Sequence, residues 1–325
     1  MNAEKLKRYW YPLFESKELK AKPLGKTLLG TELVFFRSSD GVKCFKNQCP
    51  HRGVALSNGR VLDDGLQCHY HGWTFDKEGE LSKVPSCVGA CPKKVSLEAF
   101  SVVEHDGLVW VRLEGERSFE SAFVLEEGFV NSRHIKEIEG DFMHSIENFL
   151  DPTHTSFIHK GLLRSESRQG MNIIQESSDE GFVTHYDLVD KQNGLINKLF
   201  DKGVNKNRAT FSLPSFAKIE YLKDEVLLFC VSIFFVPLKK GKVQMVVDVS
   251  LPKSMIPNWL VFALLRPFLE LALYQDKKIL KEQYAQTKDE AFAYVMLESD
   301  LVIDHLLYLL ADEKKGVDKQ LYMEL

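Results

Sequence analysis

The sequence predicts an α+β fold in two parts, a small all-β part followed by a larger part in which strands precede helices. The chain has 325 residues, which is long for a single hydrophobic core. Short β-rich runs, separated by glycines and turns, fill residues 30–115. Further strand-like stretches occupy 170–250, and two helical runs follow them at 257–285 and 289–311.

The first part begins with a hairpin signal. The stretch TELVFFRSSDGVKCFKN, 31–47, consists of two β-rich runs around a Ser-Asp-Gly turn. Glycines then recur from Gly53 to Gly79, and GLVWVRLEG, 107–115, alternates outward and inward like a closing strand. We therefore expect one domain at 1–120, with its core at about 30–115, and a second at 121–325, although no sharp linker separates them.

Composition and charge narrow the class of protein. The hydrophobic fraction of 44% and the charged fraction of 27% are ordinary for a globular chain. A net charge of −4 gives no reason to expect nucleic acid or an anionic membrane as a partner. The N-terminus lacks the pattern of a secretion signal, and the apolar run 259–274 is too short and too charged to span a bilayer. Six cysteines do not make a disulfide scaffold in a chain of this size, so we expect a cytoplasmic protein.

Two Cys-His pairs lie close together in CPHRGVALSNGRVLDDGLQCHYHGW, 49–73. Cys49 precedes His51 by two positions, and Cys68 precedes His71 by three. Two thiolates and two imidazoles can bind zinc or an iron–sulfur cluster, but zinc fingers usually group their cysteines together and their histidines together. Here each loop carries one of each, which favours a [2Fe–2S] centre with the cysteines on one iron and the histidines on the other. Zinc is the alternative.

This stretch resembles the Rieske family, for which the C-x-H and C-x-x-H pair is a specific motif. Respiratory Rieske proteins carry one more cysteine in each loop, and these two cysteines form a disulfide. Val54 and Tyr70 occupy the corresponding positions here. The resemblance is therefore to the Rieske domains of oxygenases and their ferredoxins.

The remaining cysteines have simpler interpretations. Cys44 and Cys230 lie in apolar, β-like runs and are expected to be small core residues. Cys87 and Cys91 could form a second metal site or a disulfide, but no paired ligand lies near them, which favours an incidental spacing.

A second set of ligand-type residues occurs in HSIENFLDPTHTSFIHKG, 144–161. Asp151, His154 and His159 offer the two imidazoles and one carboxylate of the facial triad that binds Fe(II) in oxygen-activating enzymes. The two histidines are five positions apart, about 140° around an ideal helix, so a break must re-aim one of them. The alternative is that Asp151 and Pro152 simply begin a helix, with His159 near its end.

The pattern N-x-x-D-x-x-H-x-x-x-x-H resembles the mononuclear iron site of the Rieske non-haem iron oxygenases. The matching residues are Asn148, Asp151, His154 and His159. The resemblance implies that the two histidines bind iron. It also implies that Asp151 does not, and instead hydrogen-bonds a ligand histidine and links it to the cluster of the next subunit.

The third iron ligand implied by the resemblance is a carboxylate far downstream. The best match is Asp276, in YQDKKILKEQ, 274–283, and Asp300 in LESDLVIDHL is a lesser alternative. Either could instead be an ordinary solvated helix charge. The same resemblance implies a helix-grip (START-like) catalytic domain, in which a curved antiparallel sheet wraps a long C-terminal helix.

The family resemblance implies a terminal oxygenase component, most like the homotrimeric group that includes vanillate and dicamba O-demethylases. It would hydroxylate, demethylate or desaturate an organic substrate with O2, using electrons from a separate reductase or ferredoxin, since no nucleotide-binding fingerprint is present. A head-to-tail homotrimer would bring one subunit's cluster near the next subunit's iron. Apolar runs such as 227–235 and 259–273 suggest a hydrophobic pocket, although core elements would look the same. The alternative function is a non-catalytic electron carrier or sensor.

Overall fold

The structure is a computed structural model that describes residues 2–87, 94–162, 170–189, 203–289, 294–313 and 318–324. It divides into two compact units. One comprises Ala3–Ser121, and the other comprises Ala122–Leu325 together with Met1–Asn2.

The first unit consists of three small antiparallel sheets. A short helix α1 (Ala3–Leu6) precedes them. The first sheet has the order β1-β10-β9, the second β2-β3-β4 and the third β5-β6-β7-β8. The strands are β1 (Tyr11–Glu15), β2 (Leu24–Leu28), β3 (Thr31–Ser38), β4 (Gly41–Lys46), β5 (Arg60–Leu62), β6 (Gly65–Gln67), β7 (Thr74–Phe75), β8 (Leu81–Lys83), β9 (Ser101–His105) and β10 (Leu108–Arg112).

The hairpin predicted at 31–47 is confirmed, because β3 and β4 pair in antiparallel register from Leu33↔Lys46 to Ser38↔Gly41. The strand predicted at 107–115 is also present, but its expected alternation is wrong. All five residues of β10 are buried, because β10 is the central strand between β1 and β9 and is covered on both faces. Strand β1 was not predicted from the sequence. It lies before residue 30, where the core was expected to begin, and it pairs with β10.

The second unit is built on an eight-stranded antiparallel sheet with the order β11-β17-β16-β15-β14-β13-β12-β18. The strands are β11 (Phe129–Glu139), β12 (Gly170–Ser177), β13 (Gly181–Leu188), β14 (Lys206–Ser212), β15 (Phe216–Lys223), β16 (Val226–Lys239), β17 (Lys242–Pro252) and β18 (Lys319–Glu324). The helices are α2 (Phe142–Leu150), α3 (Thr155–Ile158), α4 (Asn258–Thr287) and α5 (Ile303–Ala311). A large antiparallel sheet with few helices confirms the predicted α+β class.

Helix α4 packs against the edge strand β11, and α2 packs against α4, α5 and strands β15 to β17. Asp141 caps the N-terminus of α2, where its carboxylate accepts the backbone N–H groups of Met143 and His144. The packing contacts of α2 place it beside α4.

The second helical run, predicted at 289–311, is shorter than expected. Residues 290–293 lie outside the described ranges, and α5 begins only at Ile303. Before it, the Asp300 carboxylate accepts the backbone N–H of Leu297, and the Asp300 N–H donates to the Leu297 carbonyl. A side chain that bonds the backbone in this way competes with helix formation.

Candidate functional site

The two Cys-His loops of the first unit share one backbone arrangement. The Cys49 N–H donates to the carbonyl of Val54, and the Cys68 N–H donates to the carbonyl of Trp73, both at 2.8 Å. In each loop the glycine four residues after the cysteine, Gly53 or Gly72, donates back to the cysteine carbonyl and has a φ of 75° or 70°. This left-handed conformation favours glycine, so both glycines serve the loop geometry.

The four candidate ligands converge between these loops. Cys49 and Cys68 are buried, each 2% exposed, and the Cys68 thiol is a hydrogen-bond partner of the Cys49 thiol. The rings of His51 and His71 lie 4.6 Å apart between centroids, and His51 stacks on Trp73 at 4.5 Å. The two thiols are therefore buried and the two imidazoles lie nearer the surface, and this set of ligands fits a [2Fe–2S] cluster with mixed ligands.

The electrostatics of this site suit a metal cluster. Burial raises the pKa of the Cys49 thiol, and the neighbouring Cys68 thiol raises it further. Desolvation lowers the pKa of His51, which favours the neutral imidazole that binds metals. The buried Nδ1 of His51 has no hydrogen-bond partner among the described residues. A bound cluster would satisfy this nitrogen and hold both cysteines as thiolates.

Val54 and Tyr70, which stand where respiratory Rieske proteins are expected to carry a disulfide, have different surroundings. Val54 packs against the buried cluster around Cys49 and Cys68, whereas Tyr70 is 59% exposed beside His71.

The other predicted cysteines fall into two groups. Cys44 and Cys230 are buried core residues, as expected. Cys87 is half-buried with a free thiol, and Cys91 lies outside the described residues.

In the second unit, the break that the histidine spacing demanded is present. Helix α2 ends at Leu150, and the single-turn helix α3 is flanked by His154 at its N-cap and His159 at its C-cap. His159 leaves the helical conformation, with φ −104° and ψ 28°. The chain therefore turns between the two histidines, and both rings can face the same point.

Helix α4 brings Asp276 to that point. The Oδ1 atom of Asp276 lies 3.1 Å from Nε2 of His159 and 3.7 Å from Nε2 of His154. The two imidazole rings are 5.2 Å apart between centroids. The three ligand atoms all lie within 4.8 Å of one another, and no other group of three such residues occurs in the described part of the chain.

The hydrogen bonds of the two histidines select the tautomer that exposes Nε2. His154 Nδ1 lies 2.8 Å from the backbone carbonyl oxygen of Asp151, and His159 Nδ1 lies 2.9 Å from Oε1 of Gln275. Both partners are acceptors, so each Nδ1 carries the proton and each Nε2 presents a lone pair. The buried Oδ1 of Asp276 has no hydrogen-bond partner among the described residues. Two imidazole nitrogens and a carboxylate oxygen that converge in this way fit a cation.

The pKa values of His154 and His159 shift in opposite directions. Burial lowers the pKa of His154, against the effect of Asp276. Burial also acts to lower the pKa of His159, but the Asp276 carboxylate and Gln275 outweigh it and raise that pKa.

Asp151 lies beside this site, but outside the converging group. Its carboxylate accepts the backbone N–H and the hydroxyl of Thr153, and only its backbone carbonyl contacts His154. Asp300 is not brought to the histidines, since its carboxylate closes the turn before α5. Gln275 was not identified from the sequence, where its position directly before Asp276 is its only signal.

A cavity of about 660 Å³ opens beside these residues. It lies between helix α4 and the sheet strands β11, β16 and β17, and both Asn148 and Asp276 line it. Its walls include Phe149, Ile233 and Leu273. The cavity volume falls within the range of small-molecule binding sites, and the walls are mostly apolar, as such sites usually are.

Two protein families match the chain. Residues 9–101 match the family described as Rieske [2Fe-2S] domain, which confirms the resemblance drawn from the Cys-His motif. Residues 138–307, more than half of the chain, match the family described as vanillate O-demethylase oxygenase C-terminal domain.

Individual relatives match the chain at low identity or over only part of its length. The chain is 28% identical over 275 residues to the chloroplastic protein TIC 55 of Arabidopsis thaliana, an alignment that covers 77% of this chain and 49% of the relative. It is 42% identical over 103 residues to the oxygenase component of dicamba O-demethylase from Stenotrophomonas maltophilia, covering 31% of this chain and 30% of the relative. The chain thus spans half or less of the length of these relatives.

The crystal structure of dicamba monooxygenase bound to dicamba shares the fold, with a TM-score of 0.78 over 94% of this chain and 97% of that one at 19% identity. In the described residues, no helix has both the length and the apolar character needed to cross a membrane. Because the chain combines a Rieske domain with a vanillate O-demethylase-type oxygenase domain, it belongs to the Rieske non-haem iron oxygenases.

Proposed function

We propose that this chain is a terminal oxygenase component that uses electrons from its Rieske cluster to activate O2 at one mononuclear Fe(II). It would hydroxylate, oxidatively demethylate or desaturate a small-to-medium, mostly hydrophobic organic substrate. The observation that carries this proposal is the convergence of His154 Nε2, His159 Nε2 and Asp276 Oδ1 beside an apolar cavity. Two neutral imidazoles and one carboxylate leave coordination positions open, as O2 activation requires.

The residues of the chain supply binding, orientation and exclusion of water. The Asp151 carbonyl and Gln275 hold the two ligand rings with Nε2 directed inward. The apolar cavity walls position the substrate and keep bulk water from the reacting atoms. When bound, the iron supplies O2 activation and the cluster supplies electrons one at a time.

For a hydroxylation, one O2, two electrons and two protons are consumed. One oxygen atom enters a C–H bond of the substrate, and the other leaves as water. The electrons would come from a separate reductase or ferredoxin, since the sequence carries no nucleotide-binding fingerprint of its own.

Two further parts of the proposal rest on the family resemblance, and a third rests on the cysteines. A homotrimer with head-to-tail interfaces would place the cluster of one subunit near the iron of the next. Asp151 would then lie on the path between the two metals. Asn148 would lie beside the reacting atoms. The unpaired cysteines suit a reducing compartment such as the cytoplasm.

The competing function is a Rieske electron carrier or sensor whose second unit binds a ligand without iron. Iron quantitation on the purified, reconstituted protein distinguishes the two functions. We expect about three irons per chain for the oxygenase and about two for the carrier, because the cluster itself holds two. Substrate-stimulated O2 uptake that depends on a reductase would complete the test. A protein with two irons and no such uptake would refute the proposal.

A further inference from the structure

The cavity beside the iron site has one polar side on an otherwise apolar sheet. Every second residue of the edge strand β11 faces the cavity, and three of these are Ser132, His134 and Lys136. Their neighbours across the sheet on β17 and β16 are all apolar. In register these neighbours are Val249 and Val231, Val247 and Ile233, and Met245 and Phe235. On the sheet face, a ligand in the cavity would therefore meet hydrogen-bonding groups along one edge, while Asn148 of α2 and Asn258 of α4 add polar groups elsewhere in the lining.

Helix α4 adds charge above the same edge. The Lys136 Nζ lies 2.7 Å from Oε1 of Glu270, and the Nε of Arg266 lies 3.9 Å from that oxygen. One carboxylate thus faces two cations at this place, which leaves an excess of positive charge.

His134 completes this polar edge. Its Nε2 lies 3.0 Å from the hydroxyl oxygen of Ser132. Burial lowers the pKa of His134, so the ring is neutral near pH 7 and offers a hydrogen bond rather than a charge. Arg266 lines the cavity, and its side chain is 67% exposed. Its Nε lies 3.9 Å from the Glu270 carboxylate, so this carboxylate neutralises little of the guanidinium charge. A guanidinium at the edge of an apolar cavity is suited to a carboxylate.

The polar edge lies well away from the reacting centre. Arg266 precedes Asp276 by ten positions on the same helix. A rise of 1.5 Å per residue separates the two positions by about 15 Å along the helix axis. A single-ring acid is shorter than this separation, whereas an elongated molecule can span it.

We propose that the substrate is an elongated, mostly apolar carboxylic acid, with fused rings or a long chain. Its carboxylate would bind at Arg266 and the Ser132–His134 pair, and the carbon that reacts would lie at the far end. This inference rests on the proposed function, because it identifies the substrate class of the same site. Lys136 and Glu270 would lie along the polar edge, between the carboxylate and the iron.

Binding of a fluorescent probe tests the proposal without requiring turnover. The probe is 1-pyrenebutyrate, an elongated apolar acid, and its methyl ester is the neutral match. We expect the acid to bind about tenfold to a hundredfold more tightly than the ester to the intact protein, because a charge-assisted hydrogen bond is lost in the ester. Benzoate, the short acid, should not displace the probe at comparable concentration.

Substitutions then locate the effect. Arg266→Gln should remove most of the preference for the acid, while Lys242→Gln, which removes a lysine paired with Glu137 on the same sheet, should leave it intact. Equal binding of acid and ester by the unaltered protein would overturn the proposal. So would an Arg266→Gln variant that keeps the full preference, or displacement of the probe by benzoate.

The iron content separates this outcome from a failure of the proposed function. Three irons per chain with no preference for the acid would reject the substrate class alone. Two irons per chain with a preference for the acid would reject the oxygenase and leave the acid-binding site.

Discussion

The Nδ1 atom of His159 lies 2.9 Å from Oε1 of Gln275, the residue directly before Asp276 in helix α4. One turn of this helix therefore supplies a candidate iron ligand and also the acceptor that orients another. Because both residues are on α4, a shift of this helix would move the Asp276 carboxylate and the His159 imidazole together.

Replacing Gln275 with Leu should weaken iron binding by about tenfold to a hundredfold, because His159 loses the acceptor that fixes its tautomer and ring orientation. Gln275→Glu keeps an acceptor and should restore binding. The measurement is the iron retained against graded chelator, with the visible spectrum of the cluster as an internal reference. Gln283→Leu, on the same helix, is the matched control. Unchanged iron retention in Gln275→Leu would show that this hydrogen bond is dispensable.

Replacing Asp276 with Ala should remove one iron per chain and abolish oxygenation, while the cluster spectrum persists. His154→Ala and His159→Ala should do the same, since each removes one of the three converging ligand atoms. Asp300→Ala is the control, because its carboxylate bonds the Leu297 backbone instead. Full activity in Asp276→Ala together with loss in Asp300→Ala would show that the carboxylate assignment is wrong, although the mechanism would survive.

The candidate ligand motifs could be recognised in the sequence because their residues are close together in the chain. The spacing from Cys49 to His71 and from His154 to His159 is set by local loops, so short-range patterns contain the information. Asp276 was harder to select as a candidate, since a metal-binding carboxylate on a helix would have the same local sequence as a solvated charge. It is the fold that brings α4 beside α3.

The polar edge of the cavity could not be predicted from sequence. Ser132, His134 and Lys136 alternate along an edge strand, and that pattern normally indicates a face exposed to water. Only the position of α4 above β11 turns that face into a cavity wall. Before α5, the Asp300 carboxylate accepts the Leu297 N–H, a contact that competes with helix formation and that no periodicity reveals.

Glu147 should make the stability of the protein depend on pH. Burial raises its pKa to about 7, and the charges of Asp151, Asp300 and Asp141 contribute. The folded state therefore binds this proton more tightly than the unfolded state, whose glutamate has a pKa near 4.3. The stabilisation is present below about pH 4 and is lost as the pH rises through about 7, with a total on the order of 4 kcal/mol.

Glu147→Gln removes this dependence. The variant should unfold at a higher temperature than the unaltered protein at pH 8, and the difference should shrink as the pH falls towards 5. Thermal unfolding of both proteins across this pH range is the measurement, with iron content held equal. A difference that stays constant with pH would mean that Glu147 does not titrate in this range.

Asp151 provides the last prediction, because its backbone and its carboxylate make different contacts. The backbone carbonyl accepts the His154 Nδ1 hydrogen, while the carboxylate accepts the N–H of Thr153 at 2.9 Å. In Asp151→Asn the amide oxygen can still accept that N–H, so the turn and the carbonyl should stay in place. Both metals should therefore remain bound. If the carboxylate charge links His154 to the cluster of a neighbouring subunit, electron transfer to the iron should fall by orders of magnitude.

Single-turnover kinetics on Asp151→Asn would test this role. We expect the reductase to reduce the cluster at the normal rate, and reoxidation of the cluster by O2 and substrate to nearly stop. Thr153→Val is the matched control, because it removes the hydroxyl that bonds the carboxylate but leaves the charge, and it should reoxidise at close to the normal rate. Loss of iron from Asp151→Asn would instead make Asp151 a ligand. Normal reoxidation would show that its carboxylate has no part in electron transfer, and that its contribution is the backbone carbonyl that orients His154.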